Sequence, residues 1–376
     1  MKETIRLSKS VLDEKEEEAV KNVLKEGKLG MGKYVQNFEK ALEHFIGRPI
    51  ACVSSGTAAL QLALQASGIQ QGDEVLVQSL TYVASYQAIS ATGALPVSCD
   101  VNSDSLTINI DDAQKRITNR TKAIMPVHYA GDPGNLGAIY DFAKRNKIKV
   151  IEDAAHAFGS KYKEALIGSF GNITCFSFDG IKNITSGEGG GVCSNDINLI
   201  NNIKDLRLLG IEKDSNKRYE GKRSWDFNVK NQGWRYHMSN INAGIGLEQL
   251  NKLPYLTRRR RDICRKYDTL IENINHIDIF KRNYNSIVPH IYPVKLSNKV
   301  KRDNIREFLL NHNIETGVHY QPNHQLTLYN RNKVKSNLIN TDLISPALMS
   351  LPLHPDLKDY EIEFIVKKLK EYIEAN

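Results

Sequence analysis

Residues 121–159 read TKAIMPVHYAGDPGNLGAIYDFAKRNKIKVIEDAAHAFG, and this stretch decides the fold class. Its first and last parts contain short runs of apolar and β-branched residues, which predict two buried strands. The part between them has apolar residues at helical spacing, which predicts a helix. A strand, a helix and a second strand in this order are typical of a parallel sheet covered by helices.

The same alternation extends through the first 250 residues. Further strands are predicted at GDEVLVQSL (72–80), PVSCDV (96–101) and ITCFSF (173–178), and a helix at TYVASYQAISATGA (81–94). After residue 254 the pattern changes to a long basic helix, isolated strands such as residues 286–296, and helices around 303–311 and 359–374. We therefore predict an α/β fold with a mostly parallel central sheet and helices on both faces. Residues 1–250 form its large domain and residues 251–376 a smaller α+β domain.

Composition excludes several classes of protein. The chain has 376 residues, a formal charge of +8 and five scattered cysteines without CxxC spacing, which indicate a reducing, cytoplasmic compartment and no disulfide framework or metal site. No apolar run is long enough to span a membrane, and the first residues are too charged for a signal peptide. The basic run TRRRRDICRKY (257–267) is interpreted as the solvated face of a helix. Since the chain lacks nucleic-acid motifs, we expect no nucleic-acid binding. Since it lacks a long apolar run, we expect no membrane binding either.

Polar residues follow several of the predicted strands, where open α/β sheets bind their ligands. In ACVSSGTAALQLAL (51–64), Gly56 and Thr57 stand at a helix N-terminus, which favours an anion such as phosphate. The alternative is an ordinary helix cap. Asp153 ends an apolar strand, where a carboxylate is costly without a cationic partner. The alternative is that Asp153 merely caps a helix. His156 could share this site or be a core histidine.

The stretch FSFDGIKNITSGEGGGV (176–192) places a single lysine between a strand and a glycine-rich segment, which we expect to be a flexible loop. The amine of Lys182 can form a Schiff base with an aldehyde if it is partly desolvated, and Ser177 could help to bind a phosphate. The alternative is an exposed loop lysine. A phosphate site, an aspartate and a lysine at successive strand ends match what pyridoxal 5′-phosphate (PLP) requires.

On these residues the chain resembles the DegT/DnrJ/EryC1/StrS family of PLP-dependent sugar aminotransferases, which have the aspartate aminotransferase fold (fold type I). The resemblance rests on motifs in the family's order: KLGMGKYVQNFE, SSGTAALQLAL, TYVASYQAISATGALPVSCDV, IEDAAHAFGS, FSFDGIKN with GEGG, YHMSNINAGIGLEQL and LPLHPDL. The resemblance implies that Lys182 binds the cofactor aldehyde and then moves a proton between cofactor and sugar. It further implies that Asp153 pairs with the ring nitrogen, His156 lies near the ring hydroxyl and Tyr82 stacks on the ring. Gly56, Thr57 and Ser177 would hold the phosphate.

The sequence departs from the family at Gly233-Trp234-Arg235-Tyr236-His237, where many members have Gly-x-Asn-x-Arg. The family's asparagine reaches the cofactor phosphate of the neighbouring subunit, and Arg235 stands in its place. A guanidinium can also bind a phosphate. The substrate-binding candidates are His237, His319, Tyr320 and His324, and ordinary packing is their alternative. Lys182 argues against the dehydratase branch of the family, which carries histidine there.

The resemblance implies a homodimer with shared active sites that moves an amino group from L-glutamate to a keto sugar of a nucleoside diphosphate. We expect amination at C4 of a 4-keto-6-deoxy sugar, in bacterial surface polysaccharide or secondary-metabolite sugar biosynthesis. Two alternatives remain open at this point. The first is an aminotransferase of the same fold acting on a small non-nucleotide ketone, and the second is a non-catalytic PLP-binding regulator.

Overall fold

The structure is a computed structural model that describes residues 4–330 and 337–375. The strands are β1 (Ile50–Val53), β2 (Glu74–Gln78), β3 (Leu95–Cys99), β4 (Thr121–Met125), β5 (Lys149–Asp153), β6 (Lys161–Tyr162), β7 (Ala165–Leu166), β8 (Ile173–Ser177), β9 (Gly190–Cys193), β10 (Ile277–Ile279), β11 (Tyr292–Leu296) and β12 (Leu348–Leu351). The α-helices are α1 (Glu14–Glu26), α2 (Lys33–Ile46), α3 (Gly56–Ala66), α4 (Val83–Ser90), α5 (Ile110–Arg116), α6 (Leu136–Asn146), α7 (Ile197–Leu206), α8 (Asp214–Tyr219), α9 (Asn240–Ile271), α10 (Arg302–Asn311), α11 (Ile339–Ile344) and α12 (Asp359–Glu374).

Seven strands form the central sheet in the order β1-β9-β8-β5-β4-β2-β3. Only β9 in this sheet is antiparallel to its neighbours, β1 and β8, and the other adjacent pairs are parallel. The stretch 121–159 forms β4, α6 and β5, so the predicted strand–helix–strand unit is confirmed. The predicted α/β class with a mostly parallel sheet is confirmed as well.

Both faces of this sheet are buried under helices. Alternate residues of a strand point to opposite faces, and accordingly Leu76 and Ile124 belong to one apolar cluster while Val77 and Met125 belong to another. Helices α2 and α6 and the first part of α9 contribute to the first cluster, and α3, α4 and α7 to the second. A sheet buried on both faces exposes its polar ligand-binding groups mainly at the strand ends.

The C-terminal part packs around a second sheet, which is antiparallel with the order β10-β11-β12. Its core contains residues of α10 and α12 and the end of α9, from Ile263 onward, whereas Leu256 of α9 still packs in the large core. Helix α9 is continuous through Pro254. The predicted domain boundary at residue 250 therefore lies within one helix that is shared by both cores. Ile5 packs in the small core, whereas the N-terminal segment is predicted to belong to the large domain.

Two local expectations were wrong. Arg260, in the basic run, is only 2% exposed because it lies on the face of α9 that carries the buried Leu256 and Cys264. The glycine-rich segment is not a flexible loop along its whole length, because Gly190 begins strand β9 and is buried. Within the described ranges, none of the helices is sufficiently long and apolar to cross a bilayer.

Candidate active site

The carboxyl ends of β1, β5 and β8 bring three predicted site residues to one edge of the sheet. Gly56 begins α3 shortly after β1, Asp153 is the last residue of β5, and Ser177 is the last residue of β8. A Cβ atom built on Gly56 would lie 2.8 Å from the Cβ of Ser177, so the start of α3 lies directly against Ser177. This contact places a hydroxyl group beside a helix N-terminus.

The N-terminus of α3 has backbone N–H groups that are free to face an anion. Ser55 caps the helix by accepting a hydrogen bond from the backbone N–H of Ala58 at 3.1 Å. The first backbone N–H groups, those of Gly56 and Thr57, have no acceptor within the helix, and the helix dipole adds positive potential. A Cβ on Gly190 would overlap the carbonyl oxygen of Ser55 and approach the Gly56 nitrogen to 2.8 Å. Glycine is therefore required where β9 passes this helix start.

Asp153 is a buried carboxylate, 5% exposed. Its Oδ2 accepts a hydrogen bond from the Ser85 hydroxyl at 2.7 Å, and its Oδ1 accepts one from the Ala155 N–H at 3.2 Å. Among residues 4–330 and 337–375, Asp153 forms no salt bridge. Burial raises the pKa of Asp153, and these hydrogen bonds oppose the rise. Since an unpaired buried carboxylate is costly, the position suits a cationic atom of a ligand.

Lys182 lies in the loop after β8, where its backbone N–H donates to the carbonyl of Asp179 at 3.1 Å. Its Nζ is 3.3 Å from Nε2 of His290, which comes from the segment before β11. Burial lowers the pKa of Lys182 to about 8, while Asp179 and Asp153 oppose this change and Arg260 adds to it. More of this amine is neutral near pH 7 than for an exposed lysine, as nucleophilic attack on an aldehyde requires.

An aromatic and imidazole cluster adjoins Lys182. The rings of His156 and His290 have centroids 4.4 Å apart, and the Tyr320 hydroxyl is 2.9 Å from Nε2 of His156. Nδ1 of His156 accepts the backbone N–H of Ala130, so the proton of its neutral form lies on Nε2 and is donated to Tyr320. Burial holds the pKa of His156 well below its usual range, which keeps it neutral. Tyr82, 59% exposed, completes the cluster with its ring centroid 5.7 Å from that of Tyr320.

Of the other predicted residues, His319 adjoins this cluster through Tyr320, whereas the side-chain hydrogen bonds of His324 are with Ser79 and Asp342. His319 bonds through Nδ1 to the Ser350 hydroxyl at 2.8 Å, and burial lowers its pKa to about 4. His324 has both ring nitrogens engaged, with the Ser79 hydroxyl at 2.7 Å and Asp342 at 3.0 Å. A substrate contact from His324 would have to replace one of these bonds.

The segment 233–237 runs past the end of β1. His237 forms a backbone bridge with Val53, and burial together with Arg218 and Arg235 lowers the pKa of His237 to about 4. The side chain of Arg235 is exposed, and within the described ranges it has no salt bridge. A free guanidinium near the anion site is available to a ligand or to a second subunit.

Sequence reasoning missed His290, Ser85 and Arg260. His290 and Ser85 are distant from Lys182 and Asp153 in the chain, and no local pattern links them. Arg260 could have been found, because Leu253, Leu256 and Cys264 place it on the buried face of α9 at helical spacing.

Comparisons with known proteins extend this geometry. A sequence model of the DegT/DnrJ/EryC1/StrS aminotransferase family matches residues 10–370. The spore coat polysaccharide biosynthesis protein SpsC of Bacillus subtilis is 33% identical over 373 residues, which cover 97% of this chain and 96% of SpsC. The putative sugar aminotransferase Spr1654 of Streptococcus pneumoniae, in its apo form, has a TM-score of 0.92 at 28% identity, covering 99% of this chain and 98% of its own.

Spr1654 has also been solved in PLP and PMP forms. PseC of Helicobacter pylori, an aminotransferase involved in the biosynthesis of pseudoaminic acid, has a TM-score of 0.92 at 28% identity, and the match covers 100% of both chains. These likenesses extend over the whole fold and include proteins that carry the cofactor inferred from the strand-end residues.

Proposed function

Because the chain belongs to the DegT/DnrJ/EryC1/StrS aminotransferase family, we propose that it transfers an amino group from L-glutamate to a keto sugar carried by a nucleoside diphosphate. It is a PLP-dependent sugar aminotransferase of fold type I. The proposed position of amination is C4 of a 4-keto-6-deoxy sugar. The proposed setting is the cytoplasmic stage of surface polysaccharide or secondary-metabolite sugar synthesis, for which SpsC and PseC are the supporting relatives.

The residues present fit PLP. The buried, unpaired carboxylate of Asp153 suits the protonated ring nitrogen, and the α3 N-terminus with Ser177 suits the phosphate. Gly190, which has no side chain, lets β9 pass directly against the Ser55–Gly56 backbone at the start of α3. When bound, PLP supplies an electron-withdrawing ring that stabilises negative charge on the carbon that exchanges the amine.

The chain's own residues supply binding and proton transfer. Nζ of Lys182 would hold the cofactor and would carry the proton to and from the substrate carbon, a role for which its lowered pKa of about 8 is suited. Asp153 keeps the positive charge at the ring nitrogen. Neutral His156, held by Tyr320 and the Ala130 N–H, would be the residue that contacts the cofactor's hydroxyl group. The exposed ring of Tyr82 would stack on the cofactor ring.

Charge supports a nucleotide-linked substrate. A pyrophosphate carries two negative charges, and charge-assisted hydrogen bonds to it contribute roughly 1.5–3 kcal/mol each. Arg235 is exposed without a salt bridge in the described part of the chain, while His237, His319 and Tyr320 add donors near the site. Loss of the nucleotide should thus weaken substrate binding by at least about two orders of magnitude.

One observation carries the proposal: a lysine of lowered pKa, an unpaired buried aspartate and an anion-binding helix start meet at one sheet edge. The test is incubation of the enzyme with glutamate and a set of 3-keto and 4-keto nucleotide sugars, followed by NMR of the product. We expect an amine at C4. An amine at C3 would refute the position, and equal turnover of the sugar without its nucleotide would refute the substrate class in favour of a small ketone.

A further inference from the structure

Arg260 is a buried cation placed behind the catalytic lysine. It is 2% exposed, and its Nη2 donates to the backbone carbonyls of Ile181 and Lys182, each at 3.3 Å. Its Nη1 donates to the carbonyls of His290 at 3.3 Å and Leu353 at 3.5 Å. Across the described ranges no carboxylate lies within salt-bridge distance of this guanidinium. Buried arginines are otherwise almost always paired with an acid.

An arginine of this kind is costly to the fold. Carbonyl oxygens satisfy its N–H groups but do not neutralise its charge. Burial accordingly lowers the pKa of Arg260 to about 10. A group that destabilises the fold in this way needs a role that a neutral, well-packed side chain could not fill. The residues in contact with Arg260 indicate this role.

Arg260 reaches Lys182 by two routes. It binds the backbone carbonyl of Lys182 directly, and it binds the carbonyl of His290, whose Nε2 lies 3.3 Å from the lysine amine. His290 is itself buried, and burial and the charge of Lys182 hold its pKa well below its usual range. The guanidinium of Arg260, on α9, thus hydrogen-bonds to the loop after β8 and to the segment before β11, and both of these contain residues that surround the Lys182 amine.

We propose that Arg260 is a positioning residue for Lys182. The guanidinium group of Arg260 fixes the backbone of Lys182 and of His290, and its unneutralised charge disfavours a second positive charge on the Lys182 amine. The proposal rests on the assignment of Lys182 as the amine that binds PLP. It adds a residue from the small-domain side of α9 to the machinery that prepares that amine.

Several charges act on the Lys182 amine, and their signs decide the test. Asp179 and Asp153 raise the pKa of Lys182, whereas burial and Arg260 lower it. The imidazoles that interact with the amine lie on three different segments of the chain: His156, His290 and His319. All three have lowered pKa values and are neutral near pH 7. Removing the charge of Arg260 leaves burial as the opposing effect to the two carboxylates, so the pKa of Lys182 should rise.

The experiment measures the protonation of Lys182 without relying on turnover. Full-length, cofactor-free protein is treated with 1-fluoro-2,4-dinitrobenzene across a pH series, and the modification of Lys182 is quantified by peptide mass spectrometry. The midpoint for the wild type is expected near the pKa of about 8. In Arg260→Gln we expect the midpoint to rise by about one pH unit, the size of a typical single-charge effect at a buried site. Arg258→Gln, which removes an exposed charge from the same helix, is the matched control and should leave the midpoint unchanged.

Arg260→Met is the second variant, in case glutamine at this buried position prevents folding. It also removes the charge but buries no unpaired amide, and its midpoint should rise as in Arg260→Gln. An unchanged midpoint in folded Arg260→Gln or Arg260→Met, or an equal rise in Arg258→Gln, would overturn the proposal. So would a wild-type midpoint at the value of an ordinary exposed lysine.

Borohydride reduction of the PLP-loaded wild type separates this proposal from its premise. A pyridoxyl adduct on another lysine would overturn the assignment of Lys182 itself. An adduct on Lys182 together with an unchanged midpoint in Arg260→Gln would overturn only the role of Arg260.

Discussion

Lys182 and Asp153 are two ionisable side chains whose burial favours opposite changes in pKa. Burial lowers the pKa of the amine, which favours its neutral, nucleophilic form. Burial raises the pKa of the carboxyl, which a cation from the ligand would reverse. Each group is therefore costly in the empty protein, and under the proposed function a ligand that carries both an aldehyde and a protonated ring nitrogen would offset both costs.

The first prediction concerns the covalent attachment. The purified protein should be yellow with PLP, and borohydride reduction followed by peptide mapping should place the pyridoxyl group on Lys182. Lys182→Ala should reduce the rate on the order of a thousandfold or more, because it removes both the anchor and the proton carrier. Lys163→Ala, at a lysine of the hairpin between β6 and β7, is the control and should keep full activity. Recovery of the pyridoxyl group on any other lysine would refute the assignment.

The second prediction concerns the buried carboxylate. Asp153→Asn should retain the fold, since the amide can keep the hydrogen bond with Ser85 and burying it costs less than burying a charge. Turnover should fall by at least about a hundredfold, because the electrostatic support of the ring nitrogen is lost. The measurement compares thermal unfolding with the rate of cofactor bleaching by glutamate, with the exposed Asp141→Asn as control. Near-normal turnover in Asp153→Asn would leave this residue as a helix cap only.

Residues next to a predicted strand could be placed from the sequence, and residues brought in by tertiary packing could not. Asp153 and Ser177 end their strands, so the parallel-sheet pattern alone brings them to the same edge. His290 lies more than a hundred residues beyond Lys182, and no local pattern predicts their contact. Arg260 was misread because a charged residue in a basic run is usually solvated, although the spacing of α9 already placed it among apolar neighbours.

At the scale of elements, the site depends on how closely β9 passes the start of α3. Strand β9 pairs with β1 in the register Val53↔Gly190, which fixes Gly190 opposite the end of β1. At this point the backbone of β9 reaches the Ser55 carbonyl and the Gly56 nitrogen so closely that no side chain fits. The antiparallel strand therefore fixes how far the start of α3, the proposed anion site, lies from the sheet.

The third prediction tests this packing. In Gly190→Ala the added methyl group would overlap the Ser55 carbonyl, so β9 and α3 must separate. We expect the dissociation constant for PLP to rise at least about tenfold, since backbone N–H groups contact a phosphate well only in a narrow range of distance. Gly244→Ala is the control, because a Cβ there meets neighbours at 3.6 Å or more. Unchanged cofactor affinity in Gly190→Ala, by fluorescence titration, would contradict the packing argument.

The regular elements were predicted because their burial patterns are periodic. Strands β2, β4, β5 and β8 and helices α6 and α12 appear close to where apolar periodicity predicts them. Strand β9 could not be predicted, because its first two residues are glycines and glycine gives no apolar signal. The continuity of α9 was also hidden, since Pro254 and the change from one core to the next suggested a boundary that the helix in fact bridges.

At the scale of the whole molecule, the proposed homodimer would complete each site with Arg235 from the other subunit. Arg235 is exposed on a segment whose backbone pairs with Leu208, while the next residues approach the end of β1. In a two-fold dimer each subunit would then give Lys182 to one site and Arg235 to the other. Exposed apolar side chains at Trp225 and Phe227, shortly before Arg235, are consistent with a covered surface here.

The fourth prediction uses this division of labour. When Lys182→Ala subunits are mixed with Arg235→Ala subunits, every hybrid dimer has one site with both lesions and one intact site. Random exchange makes half of the dimers hybrids, so about a quarter of the sites, and of wild-type activity, should return. A mixture of the double variant Lys182→Ala/Arg235→Ala with Arg235→Ala is the control, since it forms no intact site. Absence of recovery, once mass spectrometry shows exchange and Arg235→Ala alone is clearly impaired, would place Arg235 in its own subunit's site.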